Sequence, residues 1–318
     1  MLAIARALED GRLRGPVARM LARAWERASS RSVARPLDVP AGVRVVAVGG
    51  ATLGGSGKTP LAVGCARCLA GKGARVAFVG HAYRARPGRA RAVSAADPLD
   101  EVGDEALLAA RMLEAHGVRV FVGPSRRAAV ALAARGADVL VLDGVLQTRP
   151  ARAWLSLLAV DADEPWGRAR AVPPCGDLRA PVPALLATTD QVVRVGEAPA
   201  DAYIVSHGAR VGRELLSWDE LRRLCVGLVC ALARPDRVIR FLSRRGVRPV
   251  VIARALDHSA LAAEGRRELE APVDLWLASA KCALHVAGAP RRAPLATIDH
   301  DLVLGPALTA LLDGRRAP

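Results

Sequence analysis

Lysine and aromatic residues are scarce in this chain of 318 residues. Aromatic side chains make up 3% of it, so Leu, Val and Ala must build the core, and few rings are available to stack on nucleic-acid bases. Lysine occurs only at positions 58, 72 and 281, among 46 basic residues. Because arginine supplies nearly all the positive charge, Lys58 indicates a need for a compact ammonium group, which suits phosphate chemistry.

Long apolar runs are also missing. No stretch approaches the roughly 18 residues that a membrane-spanning helix requires, and the longest candidate, 224–233, has the length of a buried strand. The start of the chain lacks the uninterrupted apolar core and the cleavage site of a signal peptide.

Cysteine is present, but not in a pattern that indicates a disulfide framework. Six cysteines are scattered along the chain, several of them in apolar runs, which predicts buried thiols in a reducing compartment. Cys65 and Cys68 form a C-x-x-C pair, but they fall one helical turn apart just after a glycine-rich loop. Neither a redox nor a metal role is expected for that pair.

Positive charge is abundant. The formal net charge of +15 implies an acidic partner, which could be a nucleic acid, an anionic membrane surface or a phosphorylated substrate. A hydrophobic content of 52% supports a substantial core, and the length allows two domains or one large one.

A glycine-rich loop is the most informative segment. An apolar run, Val43 to Val48, precedes it and a helix-compatible segment, Pro60 to Ala70, follows it. The loop itself consists of Thr52, Leu53, Gly54, Gly55, Ser56, Gly57, Lys58 and Thr59. In such a strand–loop–helix unit, backbone N–H groups cradle the phosphates of a nucleotide, the lysine reaches the β- and γ-phosphates, and the threonine hydroxyl binds Mg²⁺. The first glycine of the usual G-x-x-x-x-G-K-[ST] pattern is replaced by Thr52.

Strand and helix signals alternate regularly after this loop, which predicts an α/β fold with a parallel sheet covered on both faces, as in P-loop NTPases. A second, smaller set of such signals begins near Trp218. We therefore predict a nucleotide-binding domain over residues 1–217 and a smaller α/β domain over residues 218–318.

An amphipathic helix is predicted near the start of the chain. Its apolar residues follow helical spacing and three arginines occupy another face; the apolar set is Val17, Met20, Leu21, Ala24 and Trp25. This pattern is typical of an interfacial membrane anchor, although an ordinary helix packed on the domain has the same pattern.

Carboxylates stand at two places where a nucleotide site would use them. Asp143 ends an apolar strand expected beside the phosphate-loop strand, where it could hold Mg²⁺ or its water. Asp104 and Glu105 begin a helix, where they could serve as a base and a metal ligand, or simply favour the helix N-terminus. His258 follows Asp257, a neighbour that could orient the imidazole for proton transfer.

Taken together, these segments resemble the tetraacyldisaccharide 4′-kinase family, whose members transfer the γ-phosphate of ATP to a lipid A precursor. The resemblance runs from about Arg44 to His285. The matching strings are Val48-Gly49 leading into the phosphate loop and Pro60; Val102-Gly103-Asp104-Glu105; Val122-Gly123-Pro124-Ser125-Arg126; Leu142-Asp143 with Gln147; Pro174-Cys175-Gly176-Asp177-Leu178-Arg179-Ala180-Pro181; Ala233-Arg234-Pro235-Asp236-Arg237; and Asp257-His258. Thr52 is normal for this family.

The resemblance implies roles for individual residues. Lys58 would bind the β/γ-phosphates, and Asp104 would act as the base toward the sugar hydroxyl, assisted by His258. Thr59, Glu105 and Asp143 would form the neighbourhood of Mg²⁺. The resemblance also implies two α/β domains with the site in the cleft between them. It implies a peripheral protein on the cytoplasmic face of the inner membrane. The expected cofactors are ATP and Mg²⁺, and the expected partners are a lipid disaccharide and an anionic membrane surface, with no nucleic acid.

Three motifs depart from the family pattern. The usual Asp-Asp-Gly-aromatic-Gln-His is here the segment 143–148, in which the second Asp and the His are replaced by Gly144 and Thr148. The usual Ser-Arg-Gly-Tyr is 80–83, and the usual Thr-Glu-Lys-Asp is 279–282, which loses two acidic residues. A divergent kinase and a catalytically impaired homologue both fit these changes. From another class, an arginine-rich P-loop ATPase that binds nucleic acid fits the net charge.

Overall fold

The computed structural model describes residues 7–35, 38–82, 85–145, 153–231, 235–254, 263–286 and 288–314. These residues form two compact units. The larger unit contains the described residues up to 204 together with residues 302–314, and the smaller unit contains those from 205 to 301.

The strands of the described part are β1 (Arg44–Gly50), β2 (Val76–Val79), β3 (Arg91–Val93), β4 (Arg119–Val122), β5 (Val139–Asp143), β6 (Leu155–Asp161), β7 (Gln191–Gly196), β8 (Ala202–Val211), β9 (Glu214–Ser217), β10 (Val226–Cys230), β11 (Val251–Arg254), β12 (Leu275–Ala278) and β13 (Leu295–Leu304).

The helices are α1 (Pro16–Val33), α2 (Lys58–Gly71), α3 (Leu99–Val102), α4 (Asp104–Leu113), α5 (Arg126–Ala133), α6 (Val182–Ala187), α7 (Trp218–Leu221), α8 (Pro235–Arg244), α9 (Ala263–Glu268), α10 (Ala280–Leu284) and α11 (Pro306–Leu312). A single 3₁₀ turn, Glu114–His116, follows α4.

A mainly parallel sheet lies at the centre of the larger unit. Its strand order is β7–β6–β1–β5–β2–β4–β3, and only the β3–β4 pairing is antiparallel. Strands β2 and β5 are buried along their whole length, as near-continuous apolar strands are when helices cover both faces of a sheet. The predicted α/β class with a parallel sheet is confirmed.

The register of two neighbouring strands positions the candidate site. Strands β1 and β5 run parallel, with Val48 opposite Asp143. The glycine-rich loop follows β1 directly, so the end of β5 lies beside the start of that loop. The sequence prediction that Asp143 ends a strand next to the phosphate-loop strand is confirmed.

Helix α2 follows the loop and is buried on more than one side. Leu61 and Cys65 are fully buried within it, because the helix is apolar over most of its surface. Gly64 lets the helix approach the end of β13, since a Cβ at that position would lie 3.2 Å from Leu304 Cδ2. Burial raises the pKa of the Cys65 thiol, which keeps it protonated and unreactive.

Helix α1 leaves several large apolar side chains exposed on the larger unit. Val17, Met20 and Leu21 are each at least half exposed, whereas Ala22 and Val33 are buried. Pro16 occupies the first turn of the helix, where its missing N–H costs nothing. Among the described residues, we find no helix that combines the length and the apolar character needed to cross a bilayer.

In the smaller unit, four strands pair in parallel in the order β11–β10–β12–β13. Strands β8 and β9 form an antiparallel hairpin, with Gly208 opposite Ser217. Leu242 of α8 and Trp276 of β12 are fully buried. Gly227 makes room for the indole of Trp276, because a Cβ there would lie 2.5 Å from the ring.

The boundary between the units differs from the one predicted. It falls inside β8, between residues 204 and 205, rather than at 217, and residues 302–314 belong to the larger unit rather than to the smaller. Lys72 and Asp313 form an ion pair that ties the residue following α11 to the end of α2. The sequence pattern predicts neither of the two ten-residue strands that cross the boundary, β8 and β13.

Candidate active site

The glycine-rich loop has the backbone shape that phosphate binding requires. Gly55 and Gly57 have φ angles of +72° and +78°, a region that favours glycine. At Gly57 a Cβ would also lie 2.6 Å from Val195 Cγ1. Thr52, which replaces the first glycine of the usual motif, turns its hydroxyl inward and donates to the Gly54 carbonyl at 2.7 Å. The predicted loop residues therefore form one compact turn before α2.

Residues 177–179 hold this loop from the other side. The Leu53 N–H donates to the Asp177 carbonyl at 2.9 Å, and the Arg179 N–H donates to the Ala51 carbonyl at 2.8 Å. Thr52 and Leu178 form an isolated antiparallel bridge. The loop is thus fixed by a segment more than a hundred residues away in sequence.

Thr59 and Asp143 meet at the start of α2. The Thr59 hydroxyl donates to Asp143 Oδ2 at 2.7 Å. Asp143 is 1% exposed, and its other oxygen, Oδ1, has no hydrogen-bond partner among the described residues. A buried carboxylate oxygen without a donor is costly unless a cation or a further donor satisfies it.

Lys58 lies within the same cluster of charges. Its Nζ is 3.2 Å from Glu105 Oε1. Burial opposes its charge, but the nearby carboxylates of Asp143 and Glu105 outweigh that effect and raise the pKa of Lys58 above its ordinary value. The ammonium is therefore fully charged at neutral pH.

Asp104 begins α4 and is 3% exposed. It is not the N-cap residue; that position is Gly103, whose φ of +83° suits glycine. Asp104 is instead the first residue of the helix, where the dipole favours a carboxylate. Asp104 and Glu105 are thus the first two residues of α4, and the carboxylate of Glu105 contacts Lys58. His258, the predicted assistant of Asp104, lies outside the described residues, as do Gln147 and Thr148.

Three basic residues that are not among the predicted site residues belong to this cluster, namely Arg126, Arg179 and His81. Burial lowers the pKa of Arg126 and that of Arg179, and the charges of Asp143 and Glu105 partly offset this effect. Burial and then the charge of Arg126 lower the pKa of His81. Arg126 and Arg179 both lie in segments that match the family pattern, and this match is the sequence signal for them. The chain has so many arginines that composition alone does not distinguish these two.

Arg126 and Arg179 are each fixed by backbone contacts. Arg126 Nη1 donates to the carbonyls of Val79 and Gly80 at 3.2 and 3.1 Å, at the end of β2. The carbonyl of Arg179 accepts from Trp25 Nε1 of α1 at 3.2 Å. The first pair of bonds holds the guanidinium group of Arg126, and the second holds the backbone of Arg179. Both guanidinium groups interact electrostatically with the carboxylates of Asp143 and Glu105.

A cavity of about 1190 Å³ opens beside the loop. Gly49, Gly50 and Leu53 line it, and so do one face of α1 and the residues that follow β2, β4 and β5. Among the described residues, the charged or titratable ones that line it are Arg35, His81, Arg86, Arg126 and Arg179. Since these are all basic, the cavity is suited to an anionic ligand.

The cluster fits a magnesium ion only together with other ligands. Among the described residues, no group of three or more His, Cys, Asp and Glu side chains could hold a metal by itself. Mg²⁺ characteristically uses one or two carboxylates together with waters and substrate phosphates. The buried Oδ1 of Asp143 beside the Thr59 hydroxyl matches that donor chemistry.

The chain matches the family model described as LpxK: Tetraacyldisaccharide-1-P 4'-kinase over residues 15–315. It is 36% identical over 313 residues to the tetraacyldisaccharide 4'-kinase of Methylobacterium sp. (strain 4-46), an alignment that covers 92% of each chain. It is also 36% identical over 249 residues to the enzyme of the same name from Anaeromyxobacter dehalogenans (strain 2CP-1). That second alignment covers 69% of this chain and 65%, just under two thirds, of the relative.

A solved structure shares the fold. The "apo" form of LpxK from Aquifex aeolicus, in complex with ATP, aligns with a TM-score of 0.68 at 18% sequence identity. The alignment covers 92% of this chain and 96% of that one. At this level of identity the likeness establishes the fold.

Proposed function

The chain belongs to the tetraacyldisaccharide 4'-kinase family, and on that premise we propose that it transfers the γ-phosphate of ATP to the 4′-hydroxyl of a tetraacyldisaccharide 1-phosphate, a step of lipid A biosynthesis. The observation that carries the proposal is the hydrogen bond of Thr59 to the buried carboxylate of Asp143, beside Lys58. A helix that opens with Lys-Thr, next to a strand ending in a buried aspartate, is the arrangement that nucleotide phosphoryl transfer requires.

Phosphate binding would fall to the loop and to Lys58. The backbone N–H groups of residues 54–58 would donate to the β- and γ-phosphate oxygens, and the Lys58 ammonium would neutralise them. The raised pKa of Lys58 supports this role, since the charge is kept despite burial. Because phosphoryl transfer needs little covalent help from the protein, such positioning accounts for most of the catalysis.

Metal binding is proposed for Thr59 and Asp143, with Glu105 nearby. A bound Mg²⁺ would neutralise charge that develops on the phosphate oxygens. The Thr59–Asp143 hydrogen bond would orient both oxygens toward the ion, and Glu105, paired with Lys58, would keep that ammonium in place.

The acceptor end would use Asp104 as the base. Its carboxylate would take the proton of the 4′-hydroxyl as the oxygen–phosphorus bond forms, while the bond between the γ-phosphorus and the β–γ bridging oxygen breaks and ADP leaves. His258 is proposed to assist Asp104. Arg126 and Arg179 would add positive charge where the transferred group carries its negative charge.

Attachment to the cytoplasmic face of the inner membrane is proposed through α1. The exposed residues Val17, Met20, Leu21 and Trp25 would enter the interface, and Arg19, Arg23 and Arg27 would contact anionic headgroups. The acyl chains of the acceptor lie in that membrane, so the enzyme must work at its surface.

A transfer assay with [γ-³²P]ATP, Mg²⁺ and the unphosphorylated 4′-hydroxyl acceptor in detergent micelles tests the proposal. Radiolabel should appear on the lipid and disappear when Lys58 is replaced by Ala. ATP binding without transfer, under conditions in which a family member turns over, would identify a catalytically impaired homologue. Duplex DNA binding with a steep salt dependence and no transfer would favour the nucleic-acid ATPase.

A further inference from the structure

Two cysteine side chains of the smaller unit are in direct contact. The thiol of Cys230, the last residue of β10, forms a hydrogen bond with Cys282 in the first turn of α10. Both residues are buried, with 3% and 1% of their surface exposed. More than fifty positions separate them in sequence, so only the fold brings the two sulfurs together.

The strand register and a helix cap place the two sulfurs side by side. Strands β10 and β12 run parallel, and their register brings Cys230 and Ser279 to the same edge of the sheet. The Ser279 hydroxyl accepts from the Cys282 N–H at 3.2 Å, so α10 begins directly at the end of β12. The Cys282 sulfur lies at the end of β10, where it accepts from the Ala231 N–H at 3.2 Å.

The surroundings of Cys282 favour its thiolate. The hydrogen bond from Cys230 contributes most, and the pKa of Cys282 is lowered to about 6 although burial opposes this. Ser279 and the Ala231 N–H act in the same direction. The thiolate is the nucleophilic form of cysteine. Cys65 is the opposite case, because burial raises the pKa of its thiol.

Burial decides which oxidants can reach this pair. Sulfurs that are almost fully shielded from solvent exclude bulky disulfides, whereas hydrogen peroxide is small enough to enter when side chains fluctuate. The neighbouring thiol decides the product, because a sulfenic acid condenses with an adjacent thiol to a disulfide. Since the two sulfurs are already in contact, a small side-chain shift brings them to the S–S bond length of about 2.0 Å.

We propose that Cys282 and Cys230 form a peroxide-reactive dithiol site, in which Cys282 is the attacking sulfur and Cys230 is the resolving one. The product is a disulfide that ties the end of β10 to α10. This reactivity is independent of phosphate transfer, and it gives a role to two thiols that the proposed function does not use.

The reaction with hydrogen peroxide proceeds in two steps. The Cys282 thiolate attacks one peroxide oxygen, so that an S–O bond forms, the O–O bond breaks and hydroxide leaves. That hydroxide takes the proton of the Cys230 thiol and becomes water. The Cys230 thiolate then attacks the Cys282 sulfur; the S–S bond forms, the S–O bond breaks, and the second hydroxide takes a proton from solvent. Overall the two thiols lose two protons and two electrons, and the peroxide is reduced to two waters.

Peptide mapping of the whole chain tests the proposal. A bulky maleimide first blocks the accessible thiols of the folded protein, including that of the exposed Cys225. Hydrogen peroxide is added next, and the chain is then unfolded, alkylated and digested. A peptide pair joined through Cys230 and Cys282 should appear, and dithiothreitol should separate it. Cys282 should be oxidised at least about tenfold faster than Cys65, whose thiol stays protonated.

Two variants separate the roles of the two sulfurs. In Cys230→Ser, which keeps a hydroxyl donor beside Cys282, oxidation should stop at a sulfenic acid that dimedone traps when the chain is unfolded. In Cys282→Ser, Cys230 should remain a thiol at the same peroxide dose. Cys65→Ser is the matched control, because it alters a buried cysteine of the larger unit, and it should form the disulfide as readily as the parent.

Two results would overturn the dithiol site. One is a parent chain in which the peptides of Cys230 and Cys282 stay unlinked at a peroxide dose that oxidises a small-molecule thiol in the same solution. The other is oxidation of Cys65 as fast as that of Cys282, since this would show that the peroxide does not select the pair. Both results come from the parent chain, so they decide the question even if a variant fails to fold.

Discussion

Thr59 Oγ1 donates a hydrogen bond to Asp143 Oδ2 at 2.7 Å, although 84 positions separate the two residues in sequence. The bond joins the first turn of α2 to the end of β5 and uses one oxygen of a carboxylate that is almost fully buried. The other oxygen has no hydrogen-bond partner among the described residues. One carboxylate oxygen of this pair thus lacks a hydrogen-bond donor, although Lys58, Arg126 and Arg179 supply positive charge around it.

Lys58→Ala should lower kcat/KM for phosphate transfer by about 10²-fold or more, equivalent to about 3 kcal/mol of transition-state stabilisation. The reason is the loss of an ammonium whose charge persists despite burial. Lys72→Ala is the control, because Lys72 pairs with Asp313 at the surface. Steady-state kinetics with labelled ATP measures both. Equal turnover by Lys58→Ala and the parent would contradict the assignment.

Asp143→Asn should raise the Mg²⁺ concentration needed for half-maximal transfer by about tenfold or more, because an amide keeps an acceptor for the Thr59 hydroxyl but removes the charge. A magnesium titration of transfer at saturating ATP measures the change. Asp161→Asn, which alters a carboxylate at the end of a different strand, is the comparison. An unchanged magnesium requirement in Asp143→Asn would remove Asp143 from the metal site.

Asp104→Asn should reduce transfer by about 10²-fold or more with little change in ATP affinity, because it deletes the base while keeping the volume. His258→Ala should cost a similar or smaller factor. If the two residues act as one unit, the double variant should be less impaired than the product of the single effects. A variant that loses only stability, with full transfer per folded molecule, would identify Asp104 as a structural residue of the first turn of α4.

Arg179→Gln should reduce kcat by about 10²-fold while leaving the KM for ATP within a few-fold, because a cation aimed at charge that develops during transfer acts on the transition state. Burial disfavours the charged form of this guanidinium in the folded protein. Removing the charge by Arg179→Gln should therefore not greatly lower the melting temperature. Arg135→Gln, an exposed arginine elsewhere, controls for general charge. A proportional loss of thermal stability would indicate a structural role for Arg179.

Stability should depend on pH through Cys282. A hydrogen bond with Cys230, aided by Ser279 and the Ala231 N–H, lowers the pKa of the buried Cys282 thiol to about 6 despite desolvation. An acid whose pKa falls on folding adds stability above its unfolded pKa, about 8.5, and that contribution declines as pH falls through 6. The difference in unfolding free energy between the parent and Cys282→Ser should therefore be larger at pH 9 than at pH 6.

Urea denaturation at three pH values under reducing conditions measures that difference, with Cys225→Ser as the exposed control. A difference that stays constant from pH 6 to pH 9 would show that the thiol of Cys282 keeps an ordinary pKa.

Much of the secondary structure of the larger unit could be predicted from the sequence. The apolar strand that the sequence predicts before Asp143 is β5, since a short apolar run bounded by turns specifies a buried parallel strand. The helix-compatible segment from Pro60 to Ala70 lies within α2, since proline is tolerated in the first turn of a helix. Strands β8 and β13 are not predicted, since most of their residues are only half-buried and polar residues interrupt both strands.

The sequence by itself determined the segment proposed to bind the phosphates of a nucleotide, because the strand, the glycine turn, Lys58 and Thr59 are consecutive and their chemistry is local. Only the tertiary structure decided which distant residues lie beside that segment. Arg126 and Arg179 gain their importance from burial beside Asp143 and Glu105, and no local pattern separates them from the other arginines of an arginine-rich chain. Burial and charge pairing depend on how strands and helices pack, so they emerge only once the chain has folded.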